Sequence, residues 1–283
     1  RLVNLTITNM GSGSGSTLAS QGLRVDGDRA VLELHSCRIT SSSAESSVTT
    51  SFLDAGLGGT ILVKESGTLI VTNTTFERCS ASFAGGAIAV DRAGSVARIA
   101  DSSFFANTAK SHGGAVAATN GGRIEMVDVQ LDSNVAFGDG GAMSLTTGSS
   151  TSLARVDIYR NNAGDNGGGI HIDDTSSATL QGAVIADNSA AKLGGGVVIR
   201  SGTNVTLDAS TLTRNTAATG GGLAVLPPSA DRGALVAAAQ DVASVSAPPS
   251  PATASILLHD VVLDSNQARY GGGLFACDAS VVV

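Results

Sequence analysis

The chain has 283 residues, a formal net charge of −7, 36 Gly, no Trp and only 3% aromatic residues. The acidic balance excludes the basic stripe of a nucleic-acid-binding surface, and no apolar run approaches the ~20 residues of a membrane-spanning helix. The apolar side chains are mostly Val, Ile, Leu and Ala, which suit a narrow interior of stacked strands better than a broad aromatic core.

In chain order, the pattern starts with two degenerate copies of a repeat, Leu2 with Ile7 and Leu34 with Ile39. Residues 11–22 and 41–57 widen these copies as polar loop insertions. From residue 58 the repeat is regular. A Gly-Gly pair, any residue and then an aliphatic one recurs, with the last at Ile61, Ile88, Val116, Met143, Ile170, Val197, Leu223 and Leu274. The steps are 27, 28, 27, 27, 27, 26 and 51 residues, the last being one repeat plus an insertion. A second apolar column lies two residues on, from Val63 and Val90 to Ala276.

Between the Gly-Gly pairs runs an apolar anchor followed three positions later by Asn. The pairs are Phe104/Asn107, Leu131/Asn134, Ile158/Asn161, Ile185/Asn188, Leu212/Asn215 and Leu263/Asn266, while Phe76 is followed by Cys79. Five residues before the anchor stands a further apolar column, including Val71, Ile99, Met126, Leu153, Leu180, Leu207 and Leu258. Apolar residues two apart mark strands, and segments this short between small turn residues leave no room for helices. Three short strands returning to the same phase every ~27 residues describe an all-β chain, a single-stranded right-handed parallel β-helix of about nine three-sided coils. Its stability is then mainly a nearest-neighbour property, because no coil can bury its inward residues alone. Asn107, Asn134, Asn161, Asn188, Asn215 and Asn266 read as a structural ladder, since Asn tolerates turn conformations and stacked amides can bond from coil to coil.

Residues 227–253 form a Pro-flanked insertion, bracketed by Pro227-Pro228 and Pro248-Pro249-Ser250-Pro251; proline at both rims stops strand pairing. Its Ala/Val-rich middle reads as a short helix on the rod or a separate lobe. Both ends of the chain fall within the repeat pattern, so residues 1–283 read as one β-helix domain, a fragment of a longer chain. Cys37, Cys79 and Cys277 are an odd, sparse set that supports neither a disulfide framework nor a zinc site. Asn4, Asn73 and Asn204 head Asn-X-Thr sequons and are glycosylation candidates in an exported protein.

The Gly-Gly-Ala-Ile at 85–88, the Gly-Gly-Ala-Val at 113–116 and the Phe104–Asn107 spacing resemble the repeats of the chlamydial polymorphic outer-membrane proteins, marked by GGA[ILV] and FxxN. The likeness spans about residues 60–275, is strongest over 76–116, and loosens where GGG replaces GGA and Leu or Ile replaces Phe. It implies a pectin-lyase-like β-helix exposed on a cell surface and used in adhesion. The Ala/Gly/Ser-rich composition and the Pro-Pro-Ser-Pro segment suggest an algal surface protein.

The resulting expectation is an extracellular or cell-surface scaffold rather than an enzyme, a glycoprotein segment contacting other chains of a surface assembly, flanking domains of its own polypeptide, or glycans. The rival is a polysaccharide lyase or glycoside hydrolase, which needs facing carboxylates roughly 5–10 Å apart. The candidate catalytic set is His171, Asp173 and Asp174, with His171 and Asp173 expected to face outward and Arg160 or Arg200 as the nearest cations. Asp139 and Asp165, just before Gly-Gly pairs on adjacent coils, would add an acidic patch. No cofactor is implied beyond, at most, a weak Ca²⁺ site. The column Leu62, Ala89, Ala117, Ser144, His171, Val198, Ala224 and Phe275 is expected to face outward as an apolar docking stripe.

Overall fold

Each pair of apolar residues two apart becomes a strand, and every strand pairs in parallel with its counterpart one repeat away. The computed structural model describes residues 1–8, 23–40, 43–44, 57–173, 175–200, 202–226, 255–277 and 280–283. All regular structure among them is strand, with no helix. The chain is a parallel β-solenoid. The insertions at 11–22 and 227–253 lie outside the described residues, as does 41–57 apart from Ser43, Ala44 and Leu57.

One turn passes through four strands. Sheet 1 holds ten strands such as Val96–Ala100, sheet 2 nine such as Ser103–Phe105, sheet 3 six two-residue strands such as Thr108–Ala109, and sheet 4 nine such as Ile88–Asp91. Sheet 3 is an addition to the three-sided expectation. Its strands occupy the bend between anchor and Gly-Gly pair, where alternation over two residues leaves no readable period. About seven turns form the regular body, slightly fewer than the nine expected.

The core is built of columns in single file. Leu153 pairs with Leu180 and Leu180 with Leu207, all buried. Phe76, Phe104, Leu131, Ile158, Ile185 and Leu212 form the corresponding file in sheet 2, each at 0% exposure. Burying one such side chain contributes roughly 1.5–3 kcal/mol. Where the position two before the anchor is polar, its hydroxyl bonds the corner backbone. Ser102 Oγ donates to Ala100 O and accepts the Thr74 N–H.

The Asn column is a continuous buried ladder. Asn134 Oδ1 accepts from both the backbone N–H and Nδ2 of Asn107, each at 2.9 Å, while Asn134 Nδ2 donates to Asn161 Oδ1 and to Phe104 O. The same bonds repeat through Asn161, Asn188 and Asn215 to Asn266. Cys79, which replaces Asn at the lower end, donates its backbone N–H to Asn107 Oδ1. Gly85 and Gly86 show why the next corner needs glycine. Gly85 has φ +68°, and a Cβ on Gly86 would lie 2.1 Å from Gly114 O of the neighbouring coil.

Candidate functional site

Between its two end strands, sheet 4 is buried on both faces, with Thr119 alone half-buried among these described strand residues. The side chains pointing away from the main core, Leu62, Ala89, Ala117, Ser144, His171, Val198 and Ala224, are all 3% exposed or less. The apolar docking stripe is therefore corrected: these residues leave the main core but do not reach solvent, and Phe275, the last of the column, is half-buried against Val198 and Ala224. They are covered by the residue before each Gly-Gly pair, namely Leu57, Ala84, His112, Asp139, Asn166, Leu193, Thr219 and Tyr270. The cover packs as an apolar cluster at one end, with Leu57 and Ala84 on Leu62, Ala89 and Ala117. At the other end Leu193 and Leu226 pack with Val198 and Ala224.

The middle of this layer is polar. His171 is 3% exposed, so its expected outward, solvent-facing position is also corrected. Neither of its ring nitrogens makes a hydrogen bond. Beside it, Ser144 occupies the matching position on the paired strand. Ser144 Oγ, His112 Nδ1, Asn166 Oδ1 and Arg200 Nε are likewise buried without a hydrogen bond, and with His171 they make up all such side-chain atoms among the described residues. A buried polar group left so costs about 1–3 kcal/mol. Their gathering in one place marks this layer out from the satisfied Asn ladder.

Carboxylates border the cluster. Asp173 Oδ2 lies 3.9 Å from His171 Nε2 and 3.7 Å from Arg200 Nε. Asp139 Oδ2 lies 3.5 Å from His112 Nδ1, while its Oδ1 accepts from the backbone N–H and Nδ2 of Asn166 at 3.1 and 2.7 Å. Burial pushes His171 down to about 4, against the pull of the Asp139 charge, so it is neutral at neutral pH. Burial works to raise Asp139, but the Asn166 hydrogen bond and the positive charge of Arg200 hold it below the usual carboxylate range. Asp165 is held by Lys192 of the next coil rather than joining Asp139 in a shared patch. No group of three or more His, Cys, Asp or Glu among the described residues is arranged to hold a metal ion.

The structure thus brings His171, Asp173 and Arg200 together, and adds His112, Ser144 and Asn166, which sequence reasoning missed. Asp174 lies outside the described residues. Arg160 is elsewhere, paired with Asp132 of the preceding coil. A signal for the missed residues did exist: the column before Gly-Gly is polar at His112, Asp139 and Asn166, and in the last two of these coils the adjacent column is polar too, at Ser144 and His171.

A second feature lies at the corner between sheets 1 and 2. An open groove of about 630 Å³ crosses successive coils, lined by Asn73, Thr75, Asp101, Ser103, Asp128, Gln130, Arg155, Asp157 and their neighbours. The corner residues Asn73, Asp101, Asp128 and Arg155 all adopt positive φ, between 47° and 54°. Arg155 donates from Nε and Nη2 to the two oxygens of Asp128, both at 2.7 Å, and this pairing holds Asp128 below the usual range. Of the sequon asparagines, Asn4, Asn73 and Asn204 are all exposed; Asn73 Nδ2 donates to Ser36 Oγ.

Cys37 and Cys79 are buried and Cys277 is half-buried. No helix of the described residues is long and apolar enough to cross a membrane. Searches against family models, curated proteins and solved structures find no match to this chain.

Proposed function

We propose that this solenoid is a structural and adhesive scaffold, the β-helix segment of a larger extracellular or cell-surface glycoprotein of the chlamydial polymorphic outer-membrane protein type, wound as in pectin-lyase-like folds. The observation that carries this reading is how the polar side chains are used. The Asn ladder bonds coil to coil, and Arg155–Asp128, Arg160–Asp132 and Arg214–Asp187 each pair a guanidinium with a carboxylate one coil earlier. These contacts serve the continuity of a rod. Partners would be other chains of a surface assembly, flanking domains of the same polypeptide, or glycans.

The groove at Asp101, Asp128 and Asp157 favours the second reading, a lyase or glycoside hydrolase, because carboxylates from successive coils line one trough. Against it, glycoside hydrolysis requires one carboxyl held protonated as general acid, and both Asp128 and Asp139 are shifted the other way. The deciding experiment pairs surface crosslinking of the parent protein on intact cells with incubation of the purified chain with pectin, alginate and neutral glycans. The scaffold reading expects crosslinks into a surface assembly and no new reducing or unsaturated ends. Chain cleavage that is lost in Asp128→Asn or Asp173→Asn would overturn it.

A further inference from the structure

The cover over sheet 4 is held along its length by parallel bridges, with one interruption. Leu57 bridges Ala84, and Ala84 bridges His112. Asn166 bridges Leu193, Leu193 bridges Thr219, and Thr219 bridges Tyr270. Asp139, between the two runs, keeps only half of each bridge: its carbonyl accepts the Gly113 N–H and the Gly140 N–H donates to Asn166 O, but the return bonds are missing. Its carboxylate takes over part of the work, accepting the Asn166 backbone N–H that a bridge would have engaged, together with Asn166 Nδ2. The cover is therefore closed in its middle by a side chain rather than by backbone alone.

What lies beneath also differs from the flanks. At both ends the cover seals dry contacts between apolar side chains. In the middle it seals Ser144 Oγ and both ring nitrogens of His171, which make no hydrogen bond while it is shut, and the same holds for His112 Nδ1 and Asn166 Oδ1 of the cover itself. Opening this stretch gives those atoms water and sacrifices little apolar contact, so it is the place where the layer separates most easily.

We propose that the cover over His171 is an acid-released latch: proton uptake frees the Asp139–Asn166 closure from sheet 4 while the coils stay stacked. The groups facing His171 are Asp139 and His112 from the cover, Ser144 from the paired strand, Asp173 beyond the end of its own strand, and Arg200 from the following coil. With the latch shut, the dry surroundings and the Arg200 charge oppose a proton on His171, and the Asp139 carboxylate favours it. With it open, the imidazole is hydrated and protonates near its ordinary value of about 6.5. Opening therefore takes up a proton, and its equilibrium constant rises as pH falls from about 6.5 towards 4. Between pH 7 and 5 the rise is about 20-fold.

Hydrogen exchange of the purified chain, corrected for intrinsic rates, tests this without any variant. The amides of Gly140 and Asn166 should open about 20-fold more at pH 5 than at pH 7, while those of Leu153 and Leu180 hold their protection. His171→Val, which copies Val198 in the same column, and His171→Gln, which keeps a polar side chain that does not titrate, should both flatten the dependence. Opening that is independent of pH in the unaltered chain would overturn the proposal. So would the same rise in both variants, or loss of protection at Leu153 and Leu180 in step with Gly140.

Discussion

The ring of Phe76 lies flat on the ring of Phe104, with 4.8 Å between centroids and 2° between planes. That separation equals the spacing of adjacent strands, so the stack measures one turn of the solenoid in side chains. Both rings are fully buried.

Phe104→Ala should therefore open a cavity that its neighbours, fixed by the coils above and below, cannot fill. A loss of about 3–5 kcal/mol in denaturant unfolding is expected. Phe105→Ala, one residue on and 39% exposed, should cost under about 1 kcal/mol. Equal losses at the two positions would contradict the assignment of inward and outward faces.

Asn161 sits in mid-ladder, with Nδ2 donating to Leu131 O and Asn188 Oδ1 while its Oδ1 accepts two bonds from Asn134. Asn161→Ala strands the buried Asn134 N–H, and should cost at least about 2 kcal/mol. Asn162→Ala, at the exposed next position of the same coil, should cost far less. Thermal or denaturant unfolding of the two variants side by side checks the difference.

This ladder, the anchor file and the Gly-Gly corners were legible in the sequence because each repeats one residue type at one spacing. The cover was not. Its residues run Leu57, Ala84, His112, Asp139, Asn166, Leu193, Thr219 and Tyr270, with no shared chemistry to mark a column. Strand alternation gives only two directions, so it points Leu62, Ala89 and Val198 to solvent although all three are buried. For the same reason His171 was legible as a singular residue, and its burial was not.

Glycine is required at Gly86 by its neighbour's carbonyl, whereas at Gly182 the requirement is only conformational. A Cβ on Gly182, at φ +61°, would meet nothing closer than Arg155 Cγ at 3.7 Å, and Ala209 holds the equivalent corner at φ 45°. Gly182→Ala should cost about 1–2 kcal/mol. Gly86→Ala should cost considerably more, because backbone of the adjacent coil must move. Circular dichroism melts would separate them.

Two histidines should titrate on opposite sides of the ordinary value. His259 is raised by its hydrogen bond with Asp208, aided by the charges of Asp260 and Asp208. Its contribution to stability is present below about 6.5 and is lost as pH rises through the folded value. His171 runs the other way: its neutral form is favoured by the fold, so stability is lost as pH falls from about 6.5 to about 4. Ring-proton NMR should place the two transitions in that order, and Asp208→Asn should move only the His259 transition. A His171 transition above 6.5 would contradict its burial.

Register between successive coils is the claim beneath all of these, and engineered cysteine pairs on the outer face of sheet 1 measure it most directly. Ser152 pairs with Thr179, and Thr179 with Thr206. Neighbouring strand residues fall within the Cα separation a disulfide accepts, whereas residues two coils apart, at about 10 Å, do not. In a Cys277→Ser background, mild oxidation should crosslink Ser152→Cys with Thr179→Cys and Thr179→Cys with Thr206→Cys, and leave Ser152→Cys with Thr206→Cys as free thiols. Crosslinking of that last pair, or none in the first two, would contradict the stacked solenoid.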